Sequence, residues 1–129
     1  MYKIVEINKE NLDVYVYRSV FGVGEIHVDS EKLIRLFGKP LKSSSYKSDW
    51  EWILNLNDKE WVYIYDYKVG KNYHGEHGLD FEDIYEWHIG STSIDTINFI
   101  SEILLAPEWE VFEDVRKKLF IELKDNNEN

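Results

Sequence analysis

The chain of 129 residues has no cysteine, two prolines and no long hydrophobic run. The absence of cysteine excludes disulfide bonds, thiolate nucleophiles and cysteine-ligated zinc sites, and it favours a reducing compartment. No segment approaches the roughly 20 apolar residues that cross a bilayer, and the N-terminal residues 1–6 lack the pattern of a signal peptide. We therefore expect a soluble, cytoplasmic protein without a membrane partner.

Basic side chains are scarce, and one long region lacks them entirely. The chain carries 15 Lys and Arg against 25 Asp and Glu, which gives a formal net charge of −10. Between residues 72 and 115 there are 11 acidic side chains and no Lys or Arg. This balance argues against direct binding to nucleic acid or to an anionic membrane. If these acids share one face, that face would attract a basic partner; a solvated surface that only aids solubility is the alternative.

The rest of the composition is that of a folded domain, with 43% hydrophobic and 16% aromatic residues. Period-two and helical patterns predict an α+β fold, in which an antiparallel sheet of about five to six strands carries one short helix and two C-terminal helices. We expect a single domain over residues 1–124 and a frayed tail over 125–129. The predicted strands cover residues 2–7, 13–18, 25–28, 49–56, 60–68 and 84–89, and the predicted helices cover 31–37, 94–104 and a segment that starts at Pro107.

Local signals refine this order. Gly22 and Gly24 are expected to break the chain before the third strand, and Thr92 with Asp95 is typical of a capping box at the start of a helix. The glycine-bearing segment 69–83 is predicted to be a long loop.

The hairpin formed by residues 49–68 has two distinguishable faces, because side chains alternate along a strand. One face is predicted to be core and the other an aromatic stripe. Burial of the stripe under the C-terminal helices is the favoured interpretation, whereas an exposed stripe would suit a protein interface or base stacking. The core face holds Trp50, Trp52, Leu54, Val62 and Ile64, and the stripe holds Trp61, Tyr63, Tyr65 and Tyr67 beside Ile53.

No motif in the chain is typical of catalysis. His74, Glu76 and His77, followed by Asp80 and Asp83, offer metal-ligand atoms, but their spacing is not that of the zinc-peptidase helix, and the flanking glycines favour a solvent loop. There is no nucleophile elbow, phosphate loop or dinucleotide-binding fingerprint. We therefore predict no catalytic residue, no metal site, no cofactor and no enzymatic activity.

Five short segments carry a resemblance: Phe37-Gly38-Lys39-Pro40, Tyr46 to Trp52, Tyr63 to Lys68, Gly75-Glu76 and Glu86 to Gly90. Together they resemble a family of small, mostly uncharacterised phage-encoded proteins. The resemblance covers roughly residues 25–100. It implies an origin in a phage or prophage, where proteins of this size are often counter-defence factors, including anti-CRISPR proteins and sponges for nucleotide signals.

Two functional hypotheses follow. The first is an acidic inhibitor in the host cytoplasm. It occupies the basic nucleic-acid-binding surface of a host defence nuclease or other effector, and it either acts as a monomer or forms a homo-oligomer. The alternative is a sponge for a nucleotide messenger, in which exposed aromatic rings stack on bases while Lys47, Lys68 and Lys71 meet phosphates. The partner-binding residues predicted for the inhibitor are Glu76, Asp80, Glu82, Asp83, Glu86, Tyr63, Tyr65 and Tyr67.

Overall fold

A computed structural model of the chain describes residues 4–8, 21–43, 45–57 and 60–105. Within these ranges the chain is α+β, with one antiparallel sheet and the short helix and C-terminal helix that the sequence predicts, so the predicted fold class is confirmed. The predicted strand 13–18, the helix from Pro107 and the tail lie outside the described residues. The elements are β1 (Ile4–Ile7), β2 (Phe21–His27), α1 (Ser30–Phe37), β3 (Leu41–Lys42), β4 (Trp50–Leu56), β5 (Glu60–Tyr65), α2 (Lys71–His74), two 3₁₀ turns (Gly75–His77 and Phe81–Asp83), β6 (Glu86–Ser91) and α3 (Ile94–Leu105).

The strands follow the spatial order β1-β4-β5-β6-β2, and the short β3 also pairs with β4. In the central hairpin Leu54 lies opposite Val62, and β6 continues the sheet with Ile89 opposite Ile64. β2 closes the other edge, with Ile26 opposite Trp87. Two segments that are far apart in sequence, residues 21–27 and 86–91, thereby become neighbours.

One face of the sheet, here called the core face, packs against α1 and α3. The core face of the hairpin is the one that the alternation predicts, since Trp52, Leu54, Val62 and Ile64 are all fully buried in this cluster. Helix α1 buries its apolar stripe, and α3 buries Ile97, Ile100 and Leu104. A hydrogen bond from Lys32 Nζ to the Leu104 carbonyl oxygen joins the two helices. Among the described helices, none has the length and apolar character needed to span a bilayer.

The two glycines that were expected to break the chain lie inside β2 instead. Residues 21–27 form one strand, whose register against β6 shifts between Phe21 and Val23. A Cβ atom on Gly24 would lie 3.2 Å from Ile97 Cγ2 of α3. The glycine therefore allows α3 to approach the sheet closely. The prediction was wrong because this packing requirement is tertiary and leaves no local signal.

The opposite face of the sheet, here called the far face, changes character along its length. Ile53 and Tyr63 are buried, with exposed fractions of 2% and 3%, while Tyr65 is half-buried and Tyr67 is exposed. The aromatic stripe is thus partly buried and partly exposed. The prediction that C-terminal helices cover it was wrong for α3, which packs on the core face with Leu54 and Ile64. Burial removes Tyr63 from the accessible surface, so its side chain does not belong to a partner-binding site.

The segment predicted as a loop over residues 69–83 contains three helical turns, α2 and the two 3₁₀ turns. His74 ends α2, and Glu76 and His77 lie in the first 3₁₀ turn. The prediction of a loop was wrong here. The first N–H groups of α2 bond the carboxylate of Asp49, which is distant in the sequence, and local backbone hydrogen bonds close the two 3₁₀ turns.

Candidate functional site

Asp66, which directly follows β5, binds the segment that leads into β4 and so joins the two ends of the β4–β5 hairpin. Its carboxylate is fully buried and accepts hydrogen bonds from the backbone N–H groups of Asp49 (3.0 Å) and Trp50 (2.8 Å) and from Ser48 Oγ (3.2 Å). Burial raises the pKa of Asp66 above its ordinary value, against the opposing effect of these backbone hydrogen bonds. The segment that follows β5 is thereby fastened to the segment that precedes β4.

Asp49 holds α2 in place from the same segment. Its carboxylate oxygens accept hydrogen bonds from the backbone N–H groups of Lys71 (2.8 Å) and Asn72 (2.7 Å), the first residues of the helix. A carboxylate at this position satisfies donors that the helix leaves free. Gly70 leaves room for it, because a Cβ atom there would collide with the carboxylate. Asn72 Nδ2 completes the contact by donating to the Ser48 carbonyl oxygen at 2.7 Å.

These contacts assemble an exposed group of three tyrosines and two lysines, here called the tyrosine–lysine surface: Tyr46, Tyr67, Tyr73, Lys47 and Lys68. The rings of Tyr46 and Tyr73 stack with centroids 6.3 Å apart. Lys68 Nζ lies 5.2 Å from the ring centroid of Tyr67 and 5.6 Å from that of Tyr73, which are cation–π distances. The three rings are 37–64% exposed. Two of the three lysines of the sponge hypothesis therefore lie beside exposed aromatic rings.

Lys71, the third of those lysines, faces acids instead. Its Nζ lies 2.7 Å from Asp80 Oδ1, and this hydrogen-bonded pair raises the pKa of Lys71, with smaller contributions from Asp49 and Glu82. The acidic side chains that the sequence singled out lie around it and further along the chain. All five are exposed; here they are called the acidic segment and comprise Glu76, Asp80, Glu82, Asp83 and Glu86.

Phe81 anchors the middle of the acidic segment. Its ring packs against the rings of Trp50 (5.6 Å between centroids), Trp52 (6.1 Å) and Trp87 (6.1 Å), so the 3₁₀ turn Phe81–Asp83 is fixed to the core. The next two side chains, Glu82 and Asp83, remain exposed. The acids here are therefore displayed from a turn that is held by packing.

The last acid, Glu86, belongs to a different environment on the far face. Strands β2 and β6 place His27 opposite Glu86 and Glu25 opposite His88, so these four residues, here called the Glu–His cluster, form a two-by-two grid. His27 Nε2 lies 3.0 Å from Glu25 Oε1. A hydrogen bond between the two carboxyl groups lowers the pKa of Glu25 and raises the pKa of Glu86.

Aromatic rings connect the Glu–His cluster to the tyrosine–lysine surface. The ring of His88 lies 5.1 Å from that of Tyr67 and 5.7 Å from that of Tyr65. At the other side, the ring of Tyr85 meets that of His27 edge-on at 5.9 Å. A continuous polar and aromatic surface thus runs from Tyr46 to Tyr85.

Sequence reasoning missed Glu25 and His27, although a signal exists. The chain contains the pattern Glu-x-His twice, at Glu25 to His27 and at Glu86 to His88. On a strand this spacing puts both side chains on one face. The pair His74 and His77, which drew attention first, is not gathered into such a group: His74 Nε2 bonds the Lys68 carbonyl oxygen at 2.8 Å, and His77 lies 3.8 Å from Glu76 at a highly exposed position.

Comparison of the chain with protein-family models, curated proteins and solved structures gives no match. The functional argument therefore depends on the geometry of the described residues and on the sequence.

Glu51 offers a test of the electrostatics of the far face. It lies opposite Tyr65, and burial raises the pKa of its carboxyl group. Because the pKa of Glu51 is higher in the folded protein than in the unfolded chain, ionisation of this carboxyl group destabilises the fold. The stability is complete below the unfolded pKa, about 4.3, and is lost as the pH rises through the folded pKa. We expect Glu51→Gln, which stays neutral, to melt at a higher temperature than wild type at neutral pH and at the same temperature below about pH 4.

Thermal unfolding at the two pH values measures this effect. Glu102→Gln, which changes an exposed carboxylate on α3, is the control and should leave the melting temperature unchanged at both. A Glu51→Gln variant that melts below wild type at neutral pH would show that the charged carboxylate stabilises the fold.

Proposed function

We propose that this protein is a stoichiometric inhibitor that covers the basic nucleic-acid-binding surface of a host defence nuclease. The observation that carries the proposal is the exposure of all five acids of the acidic segment, within a stretch of the sequence that has no Lys or Arg from residue 72 to residue 115. The resemblance to small phage-encoded proteins supports the class of target. Charges of one sign on a protein surface steer a partner of the opposite sign and speed association.

The way the acids are held supports tight binding. Phe81 packs among three tryptophan rings, so Glu82 and Asp83 need little ordering when a partner binds, which lowers the entropic cost of association. Exposed tyrosines lie at either side of the Glu–His cluster, Tyr67 at 37% and Tyr85 at 53% exposure. Tyrosine is enriched among the residues that dominate binding energy at interfaces. We assign the anchoring role to these two rings, with Tyr65 beside them.

A capture experiment tests the proposal. The protein is immobilised, exposed to lysate of a bacterium that carries antiviral defence systems, and eluted with a salt gradient before identification by mass spectrometry. We expect a basic nucleic-acid enzyme that elutes with rising salt, because the contacts between exposed charges are screened.

A matched pair of variants sharpens the test. Glu82→Lys with Asp83→Lys should abolish capture, whereas Asp95→Lys with Glu102→Lys makes the same change of charge on exposed positions of α3 and should preserve it. Equal capture by both double variants would mean that net charge, and not the acidic segment, attracts the partner. Capture that persists at high salt for all variants would contradict the electrostatic basis.

A second candidate function, a sponge for a nucleotide messenger, is favoured by the tyrosine–lysine surface. Stacked rings beside ammonium groups suit a base and a phosphate respectively. Under this function cyclic nucleotides would raise the melting temperature of the protein, and Tyr73→Ala would remove that rise. Tyr85→Ala, at an exposed ring outside the tyrosine–lysine surface, is the control. Under the inhibitor proposal, cyclic nucleotides leave the melting temperature of the wild type and of both variants unchanged.

A further inference from the structure

The Glu–His cluster brings together nitrogen and oxygen donors from two strands that are distant in the sequence. Glu25 and His27 alternate on β2, so both point to the far face, and the antiparallel register sets Glu86 opposite His27. One ligand atom from each of these three residues lies within 4.8 Å of the other two. His88 fills the fourth corner of the grid, opposite Glu25.

This donor set has a clear chemical preference. Imidazole nitrogen with carboxylate oxygen suits zinc and other late divalent first-row metals, whereas magnesium and calcium prefer oxygen alone. Tetrahedral zinc with bonds of about 2.1 Å holds its ligand atoms about 3.4 Å apart. The separation of 3.0 Å between His27 Nε2 and Glu25 Oε1 is close to that value. Because the side chains of His27 and Glu25 are 60% and 45% exposed, they are free to close on an ion without repacking the core.

The negative charge of the Glu–His cluster also favours a divalent metal ion. The carboxylates of Glu25 and Glu86 lie on neighbouring strands, with an oxygen of each within 4.8 Å of the other, so two negative charges there would repel each other. Around them lie imidazole and phenol rings, and no described Lys or Arg forms an ion pair with either carboxylate. A divalent cation would neutralise both carboxylates at once.

We propose that Glu25, His27 and Glu86 bind a divalent transition metal of the zinc class, with the fourth coordination position open toward solvent. The site shares Glu86 with the acidic segment, but Glu25 and His27 lie outside it, so the metal site can be removed without changing the acids of the proposed function. A metal held there would bridge β2 and β6 and fix the edge of the sheet beside Tyr85.

Calorimetric titration of the purified protein with Zn²⁺ tests the site. We expect one ion per chain and a rise in the melting temperature on binding, with no rise from Mg²⁺ at the same concentration. His27→Ala and Glu25→Gln should each weaken Zn²⁺ binding by about tenfold or more, since loss of even an outer partner of a metal site commonly costs that much. Both variants change exposed side chains, and their circular dichroism spectra should match wild type.

His77→Ala is the matched control. It removes an exposed histidine that also neighbours a glutamate, Glu76, but that has no partner across a strand. Its Zn²⁺ affinity should equal that of wild type. The proposal is overturned if wild type gives no Zn²⁺ binding heat, if His27→Ala binds as tightly as wild type, or if Mg²⁺ stabilises the protein as much as Zn²⁺. Because His27→Ala leaves the acidic segment intact, failure of the metal site and failure of the inhibitor proposal are distinguishable.

Discussion

Replacing Asp66 by alanine is expected to lower the free energy of unfolding by about 3 kcal/mol or more. The change would leave the backbone N–H groups of Asp49 and Trp50 without their acceptor, and Ser48 Oγ would keep only the Trp50 carbonyl oxygen. Each unsatisfied buried donor costs about 1–3 kcal/mol. The relief of removing a buried carboxylate, whose pKa burial raises, offsets part of this loss. Urea unfolding of the variant and wild type measures the difference.

Two further variants separate the effect of the hydrogen bonds that Asp66 accepts from the effect of its negative charge. Asp66→Asn keeps one acceptor oxygen and should fall between wild type and Asp66→Ala, while Asp95→Ala at an exposed position should cost under about 1 kcal/mol. An Asp66→Ala protein as stable as wild type would show that the carboxylate does not hold the segments together. Tyr67 and Lys68 directly follow Asp66, so the same variant should also disturb the tyrosine–lysine surface.

Removing either central tryptophan is expected to cost about 3–5 kcal/mol, the usual range for a fully buried Trp changed to alanine. Trp52 and Trp87 are both fully buried, and their rings meet edge-on with centroids 5.3 Å apart. The milder change of each tryptophan to phenylalanine should affect the stability of the protein to different extents at the two positions. Trp52 Nε1 donates to the Gly38 carbonyl oxygen at 2.9 Å, whereas Trp87 Nε1 has no acceptor among the described residues.

We therefore expect Trp52→Phe to be less stable than Trp87→Phe by about 1 kcal/mol. The difference arises because the first change removes a hydrogen bond, while the second removes a buried N–H group that has no partner. Chemical unfolding of the two variants, which change the same side chain to the same residue, provides the comparison. If Trp87→Phe proves the more costly, the description of hydrogen bonding around these rings is wrong.

Local periodicity is sufficient to predict the hairpin of β4 and β5 and the existence of α1 and α3, but not the face of the sheet on which α3 packs. Alternation assigns Trp52 and Val62 to the same buried side, and the spacing of Leu33, Leu36 and Phe37 predicts α1, because in both cases burial follows the repeat of one element. The failures all involve contacts between distant segments. Gly24 lies within a strand because β2 pairs with β6. The hydroxyl of Thr92, where a helix cap was predicted, accepts from Trp61 N and donates to Glu60 of β5.

In the candidate site, too, the features of single segments are predictable from the sequence, and the contacts between distant segments are not. The exposure of the acidic segment agrees with its composition, but the turn that displays Glu82 and Asp83 is held by Phe81, which packs against Trp50 and Trp52 of a distant strand. The Glu–His cluster depends on the pairing of β2 with β6, whose register no local pattern specifies. Tyr63 was expected among the partner-binding residues, and its burial follows from its place at the centre of the sheet, between Ile53 and Gly90.

The most direct test of the inhibitor proposal is a titration of the captured nuclease. Its cleavage of nucleic acid is measured while increasing amounts of this protein are added at low salt. The expected result is a linear loss of activity that reaches zero at a fixed molar ratio, with Glu82→Lys plus Asp83→Lys inactive as an inhibitor and Asp95→Lys plus Glu102→Lys as effective as wild type. Full nuclease activity in a large excess of wild-type protein would contradict the proposal, as would inhibition by far less than a stoichiometric amount.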